Sequence, residues 1–218
     1  MKYSFIAATL SLFISTCATA DMQSDIMSIK HNWAIATYQT ANDKQEAAFE
    51  KLLQQSTNAT HAYKSKAEPK IWMAITLSTT ADVIGGFSAL GKVKQARALL
   101  DEAEAILQHA HPENIHSLKE SIYVSLGALY YNVPGWPIGF GDDDKANEYL
   151  KKALATNPSG IDPNYFYGSF LLEQGRAKNA IKYFNKALLA PARVKRPLAD
   201  KGRKEEVSIK LAEAKRSL

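Results

Sequence analysis

The feature that most constrains this chain is a helix–turn–helix phrase written twice between Ile122 and Pro191. In the second copy Tyr167-Gly168, Leu171, Gly175, Ala180, Phe184 and Ala187 are followed by Pro191. In the first, Tyr123, Leu126-Gly127, Tyr130, Ala146, Leu150, Ala153 and Pro158 take the same places around an insert of seven residues. Ala146 and Ala180 are 34 residues apart, one repeat length for stacked helical hairpins. A glycine beside a bulky residue lets the second helix approach the first closely. Alanine at the crossing is required because a larger side chain would push the helices apart. Leu150 and Phe184, then Ala153 and Ala187, continue one buried stripe at i+4 and i+7. Pro158 and Pro191 end the second helices, since proline lacks an N–H donor and clashes with the preceding turn. One hairpin cannot bury its apolar face alone, so further pairs must flank these two.

Residues 70–107 supply one of them. Gly91, Ala96, Leu100 and Ala103 take the turn and second-helix positions, after a long first helix from about Ile71 to Phe87. That helix contains Gly85-Gly86; two helical glycines cost about 1 kcal/mol each against alanine, which points to a bend or to tight backbone packing. Residues 24–55 read as a more degenerate pair, with Ile26, Ile29, Trp33 and Ala36 on one face and a turn with an N-cap at Asn42-Asp43. Phe49, Leu52 and Leu53 follow, then a polar stretch from Gln54 to His61. After Pro191 a basic linker, Arg193 to Pro197, leads into a final amphipathic helix carrying Ala199, Val207, Leu211 and Ala214 on one side. The expected fold is all-α: a right-handed α-solenoid of helix–turn–helix repeats over residues 21–190 (clear repeats 70–107, 122–158 and 161–191), closed by a capping helix within 191–218.

Residues 1–20 stand apart as a signal peptide. Lys2 gives the positive start, Phe5 to Ile14 a short apolar run, and Ala18-Thr19-Ala20 a small-x-small cleavage site before Asp21. The run is too short for a membrane span. A periplasmic protein beginning near Asp21 is expected, without cysteine and hence without disulfides. Cys17 leaves open an envelope lipoprotein, anchored to the membrane only if that cysteine is lipidated. The formal net charge is +5 and uneven: residues 191–218 hold nine Lys or Arg against four acids, whereas 21–190 are near neutral. This tail is either a solvated face or a surface for an anionic partner. A near-neutral, exported body argues against nucleic acid.

Three loops carry chemistry-bearing residues. The insert, Asn132 to Gly141, holds two prolines, three glycines and the apolar side chains of Val133, Trp136, Ile138 and Phe140. Exposed, these would be an aggregation hazard, so Trp136 is expected either to plug the end of a helix pair or to form a lid or wall of a binding groove. Asp142-Asp143-Asp144 lacks the alternating ligands of a calcium loop and sits where a helix N-cap favours carboxylates. His109, His111 and His116 share no helix face and have no fourth ligand, so no metal is expected.

The repeat positions resemble those of tetratricopeptide-repeat (TPR) proteins. A wider pattern over about residues 70–190 is similar to secreted bacterial members of that group, including the T-component proteins associated with TRAP transporters. It comprises Leu90-Gly91-Lys92-Val93, Ser125 to Tyr131, Gly135-Trp136-Pro137-Ile138-Gly139-Phe140-Gly141-Asp142 and Asn164 to Gly168. The resemblance implies a non-enzymatic scaffold whose first helices line a concave face. Carried onto this chain, those positions are Val124, Ala128, Tyr131 and Asn132, then Asp162, Tyr165, Ser169, Leu172 and Glu173. Tyrosines with Asn, Asp and Ser make a mixed groove suited to a protein or peptide partner, or to a small organic ligand. No P-loop, nucleotide-binding glycine fingerprint, Gly-x-Ser-x-Gly or His-Glu-x-x-His occurs, so no cofactor and no catalytic residue is expected. Asp162 and Glu173 could form a carboxylate pair, without a supporting motif.

Overall fold

The computed structural model describes residues 14–110 and 115–218, with side chains from residue 21 onward. His111 and most of the signal segment lie outside the described residues. Among those described there are nine helices: α1 Ile14–Tyr38, α2 Asn42–Ala62, α3 Ala67–Ile84, α4 Gly86–Gln108, α5 His116–Asn132, α6 Asp143–Thr156, α7 Ile161–Glu173, α8 Ala177–Leu188 and α9 Pro197–Arg216. The fold is an all-α helical-repeat solenoid, with only an isolated bridge between Gly135 and Gly141 outside the described helices.

Four successive helix pairs form, α1–α2, α3–α4, α5–α6 and α7–α8, and the notched residues set the approach in the last two. A Cβ on Gly127 would lie 2.5 Å from Leu150 Cγ, and one on Gly168 would lie 2.8 Å from Phe184 Cε1. Ala146, Ala180, Leu150 and Phe184 are wholly buried at the crossings. The first Asp of the acidic triplet caps α6, Asp142 Oδ1 accepting from the Lys145 N–H at 3.0 Å.

The other turns depart from expectation. Gly85 and Gly86 both take positive φ (59° and 65°) and join α3 to α4, so the long first helix stops at Ile84. No atom lies within 4 Å of a Cβ built on either glycine, so left-handed backbone geometry, not close packing, requires them. Gly91 lies inside α4, beyond this turn. Helix α2 begins at Asn42 behind Ala41, with no side-chain cap. It also absorbs the polar stretch: Ser56 is buried against Thr76 at 3.3 Å, and Thr60 Oγ1 donates to the Ser56 carbonyl at 2.8 Å. Short hydroxyls bonded back to the helix can be buried there without leaving a donor unpaired.

Packing sorts the helices into two layers. The odd-numbered helices contact one another in succession, and the even-numbered ones pack outside them. Helix α9 packs on α7 and α8 as a cap would, but it also contacts α1. The inner layer is therefore closed, α1–α3–α5–α7–α9 and back to α1. Gly202 makes the closure, because a Cβ there would collide with the ring of Tyr38. Ala199 of α9 joins the N-terminal apolar cluster of Ile26, Trp33 and Trp72.

Candidate functional site

The inner helices surround a cavity of about 1150 Å3. Tyr131, Asn132, Asp162, Tyr165, Ser169 and Glu173 all stand on its wall, with Val124 and Ala128; Leu172 does not. Helical spacing brings them together. The inward residues of α5 and α7 recur every three or four positions on neighbouring helices that run in the same direction.

Their environments differ. Tyr131 is tilted against Phe170 (5.9 Å between ring centres), and burial raises its hydroxyl pKa above the ordinary range. Tyr165 lies between Phe166 and Phe184, with the guanidinium of Arg203 4.5 Å from its ring centre. Ser169 is buried, and its Oγ has no hydrogen-bond partner in the protein. Asn132, on the exposed rim, donates from Nδ2 to the Ala128 carbonyl at 2.9 Å.

Asp162 faces the cavity but is committed to the fold. It accepts from Arg193 Nη1 at 2.6 Å and from Arg203 Nε at 3.1 Å, while Arg193 Nε reaches Asp200 at 2.6 Å. Burial alone would raise this carboxyl; Arg193, Arg203 and Arg196 overcome it and hold it well below the usual carboxylate range. A carboxylate locked between two guanidinium groups is a poor proton acceptor, which removes Asp162 from any acid–base pair with Glu173.

Trp136 is neither plug nor cavity wall. It is 90% exposed, and Val133 and Phe140 do the anchoring instead. Val133 is buried, and Phe140 stands edge-on to Tyr130 at 5.7 Å beneath Arg97 at 4.6 Å. Hydrogen bonds within the loop, Gly141 N–H to the Pro134 carbonyl and Ile138 N–H to that of Gly135, fix its path and turn Trp136 outward. Ile138 lies on the cavity rim, as does Phe87 from the first turn of α4.

Sequence reasoning missed half of this wall. Trp33 reads as an ordinary apolar stripe residue and nothing in the sequence marks Trp72, yet both face the cavity, 6.2 Å apart and edge-on, with Trp33 Nε1 donating to Thr79 Oγ1 at 3.0 Å. Arg193, Arg196 and Arg203 read as part of a basic tail, either solvated or offered to an anionic partner. The structure turns all three inward, because Asp162 on α7 draws two of them. No periodicity in the sequence signals that pairing.

A closed ring of helical hairpins around an aromatic and ionic cavity defines the class: an all-α repeat protein of TPR-like fold. No family model and no curated protein matches the chain. Among solved structures, TTC0263, a thermophilic TPR protein of Thermus thermophilus, matches with a TM-score of 0.53 over 90% of this chain and 95% of that one, at 15% identity. A structure from a functional characterization of Pseudomonas aeruginosa pilF covers 90% of this chain and 93% of its own, at 14% identity and a TM-score of 0.34. At such identities the likeness to TTC0263 is one of fold.

Proposed function

We propose that the protein is a non-catalytic, exported binding protein that holds an organic molecule in the cavity of its inner ring. One observation carries this reading: the α1–α9 contact turns an open groove into a walled chamber of about 1150 Å3. That is just above the roughly 300–1,000 Å3 of ordinary ligand sites. Trp33, Trp72, Tyr131, Tyr165 and Phe166 supply apolar surface, while Ser169 and the arginines supply directional polar contacts. This is also the role expected of a chain resembling the T-component proteins.

Filling the chamber tests it. Ala128 faces the cavity from α5 as a small side chain. Ala128→Trp is expected to abolish capture of small molecules from a cell extract, scored by mass spectrometry of the purified protein, while circular dichroism stays unchanged. Capture equal to the wild type's would reject the cavity as the binding site. The export part of the reading rests on the Lys2, Phe5–Ile14 and Ala18-Thr19-Ala20 pattern. Cell fractionation should recover a chain starting near Asp21 outside the cytoplasm; a full-length cytoplasmic product would refute it.

A second reading, capture of a protein or peptide partner, is favoured by one separate feature. Phe87 and Trp136 are 92% and 90% exposed and Ile138 is 57% exposed, Phe87 at the start of α4 and the other two in the α5–α6 loop. A partner seated there would leave binding intact in Ala128→Trp and lose it when Phe87 and Trp136 are replaced by serine.

A further inference from the structure

One cation on the cavity wall is left uncommitted. Lys30 is paired with Glu68, Arg193 with Asp162 and Asp200, Arg203 with Asp162 and Glu206, and Lys210 with Glu213. Among the described residues Arg196 has no carboxylate within ion-pair distance, and its buried Nε has no hydrogen-bond partner. Its guanidinium lies 5.2 Å from the centre of the Trp72 ring, a contact that holds the group without neutralising it. An arginine stays charged even when burial lowers its pKa, as it does here, so this is a desolvated positive charge facing a chamber. Such a group favours an anion with two parallel acceptors, and a carboxylate fits it bidentately.

The surroundings define the rest of the ligand. Arg196 is the residue at the start of α9, at the edge of the ring where the inner helices begin, near Trp72 in the first turns of α3. From that edge an apolar strip runs along α5, although Asp82, Glu173, Glu206 and Lys210 also line the cavity. Val124, Ala128, Leu129 and Val133 line it along α5, with Leu90 from α4, towards the apolar rim at Ile138. From Glu120 to Asn132, α5 covers about 18 Å, the reach of a hydrocarbon chain of roughly a dozen carbons. Asp162 is already matched by two arginines. Asp200 is taken by Arg193 at 2.6 Å, and Glu120 receives Asn157 Nδ2 at 3.0 Å while burial raises its pKa, so both compete weakly for the guanidinium.

We infer that the chamber takes a small organic carboxylate with an apolar tail, its carboxylate held by Arg196 against Trp72 and its tail lying along α5 towards Ile138. This deepens the cavity-binding reading and rests on it. A peptide C-terminus offers the same head group, but along this path α5 presents only Ser121, Ser125, Tyr131 and Asn132 to its amide backbone, fewer partners than a peptide of that length needs when buried.

The test is calorimetric titration of the full chain with dodecanoate and with dodecanol, supported by the fluorescence of Trp33 and Trp72. Dodecanoate is expected to bind the wild type about ten- to a hundredfold more tightly than dodecanol, the range for a charge-assisted hydrogen-bonded pair. Arg196→Gln should reduce dodecanoate to the affinity of the alcohol, and Arg196→Lys should restore part of it. Melting curves for both variants show that the fold is kept. Equal binding of acid and alcohol, or undiminished acid binding by Arg196→Gln, overturns the carboxylate assignment while leaving the cavity reading standing. If neither probe binds the wild type, the carboxylate-and-tail assignment falls, and the Ala128→Trp capture experiment decides the cavity reading separately. Displacement of dodecanoate by trialanine at equal concentration overturns the hydrocarbon tail.

Discussion

Asp162→Asn is expected to destabilise the protein by about 3–5 kcal/mol, the range for removing one partner of a buried ion pair, and to lower the melting temperature by roughly 10 °C. The amide keeps the shape of the side chain but leaves Arg193 and Arg203 facing each other without the charge that holds them. Both belong to the segment that brings α9 across α7 to α1, so the loss falls on ring closure. The pH dependence has a defined sign. Asp162 is held below its unfolded-state pKa, so its contribution is present in full above the ordinary carboxylate range. It is lost only as pH falls through the lowered folded value. The gap in stability between wild type and variant should therefore stay constant from neutrality to about pH 5 and shrink only below about pH 4. Glu206 works the other way: burial raises its pKa despite Arg203, so part of its cost is relieved in acid. Urea unfolding at several pH values measures the gap. An Asp162→Asn protein as stable as the wild type at neutral pH would show that the ion pairs do not hold α9 in place.

The hairpins from α5 to α8 are legible in the sequence because their determinants are local. Gly127 against Leu150 and Gly168 against Phe184 are close pairs within single hairpins, and their spacing repeats. The inward positions of α5 and α7 follow from the same register, which is why Tyr131, Tyr165 and Ser169 can be named without the cavity. Closure is not legible. It depends on Tyr38 meeting Gly202, residues at opposite ends of the described chain, and a single glycine in a charged helix carries no periodic signal. The tail arginines escape a sequence reading for the same reason, since a helical wheel separates charged from apolar positions but cannot show a carboxylate waiting on another helix. At the α3–α4 turn two candidate glycine positions compete, and helix-forming residues around Gly91 allow the helix to run through it. Trp136 fails differently. Apolar composition implies burial of something in a loop, and here Val133 and Phe140 meet that need.

Gly202→Val is expected to open the ring without unfolding the hairpins. A Cβ at this position meets the aromatic carbons of Tyr38 at a separation that real side chains do not tolerate. Tyr38 has little room to yield, because the edge of its ring system meets Trp33 at 5.8 Å between centres. Overpacking of this kind costs about 1–3 kcal/mol, and here the cheaper relief is for α9 to move off α1. Stability and binding should then separate. The melting temperature falls moderately, whereas affinity for a cavity ligand falls much further, because the moved helix bears Arg203 and follows directly on Arg196. Amide exchange should rise in α9 and at the C-terminal end of α1 while α5 to α8 keep their protection. Gly91→Ala is the matched control: its Cβ meets nothing within 4 Å, and alanine favours helix over glycine, so it should be neutral or slightly stabilising. Adding Tyr38→Ala to Gly202→Val removes the collision and should recover part of the lost affinity. If the double variant binds no better than Gly202→Val alone, the Tyr38–Gly202 contact is not what shuts the chamber.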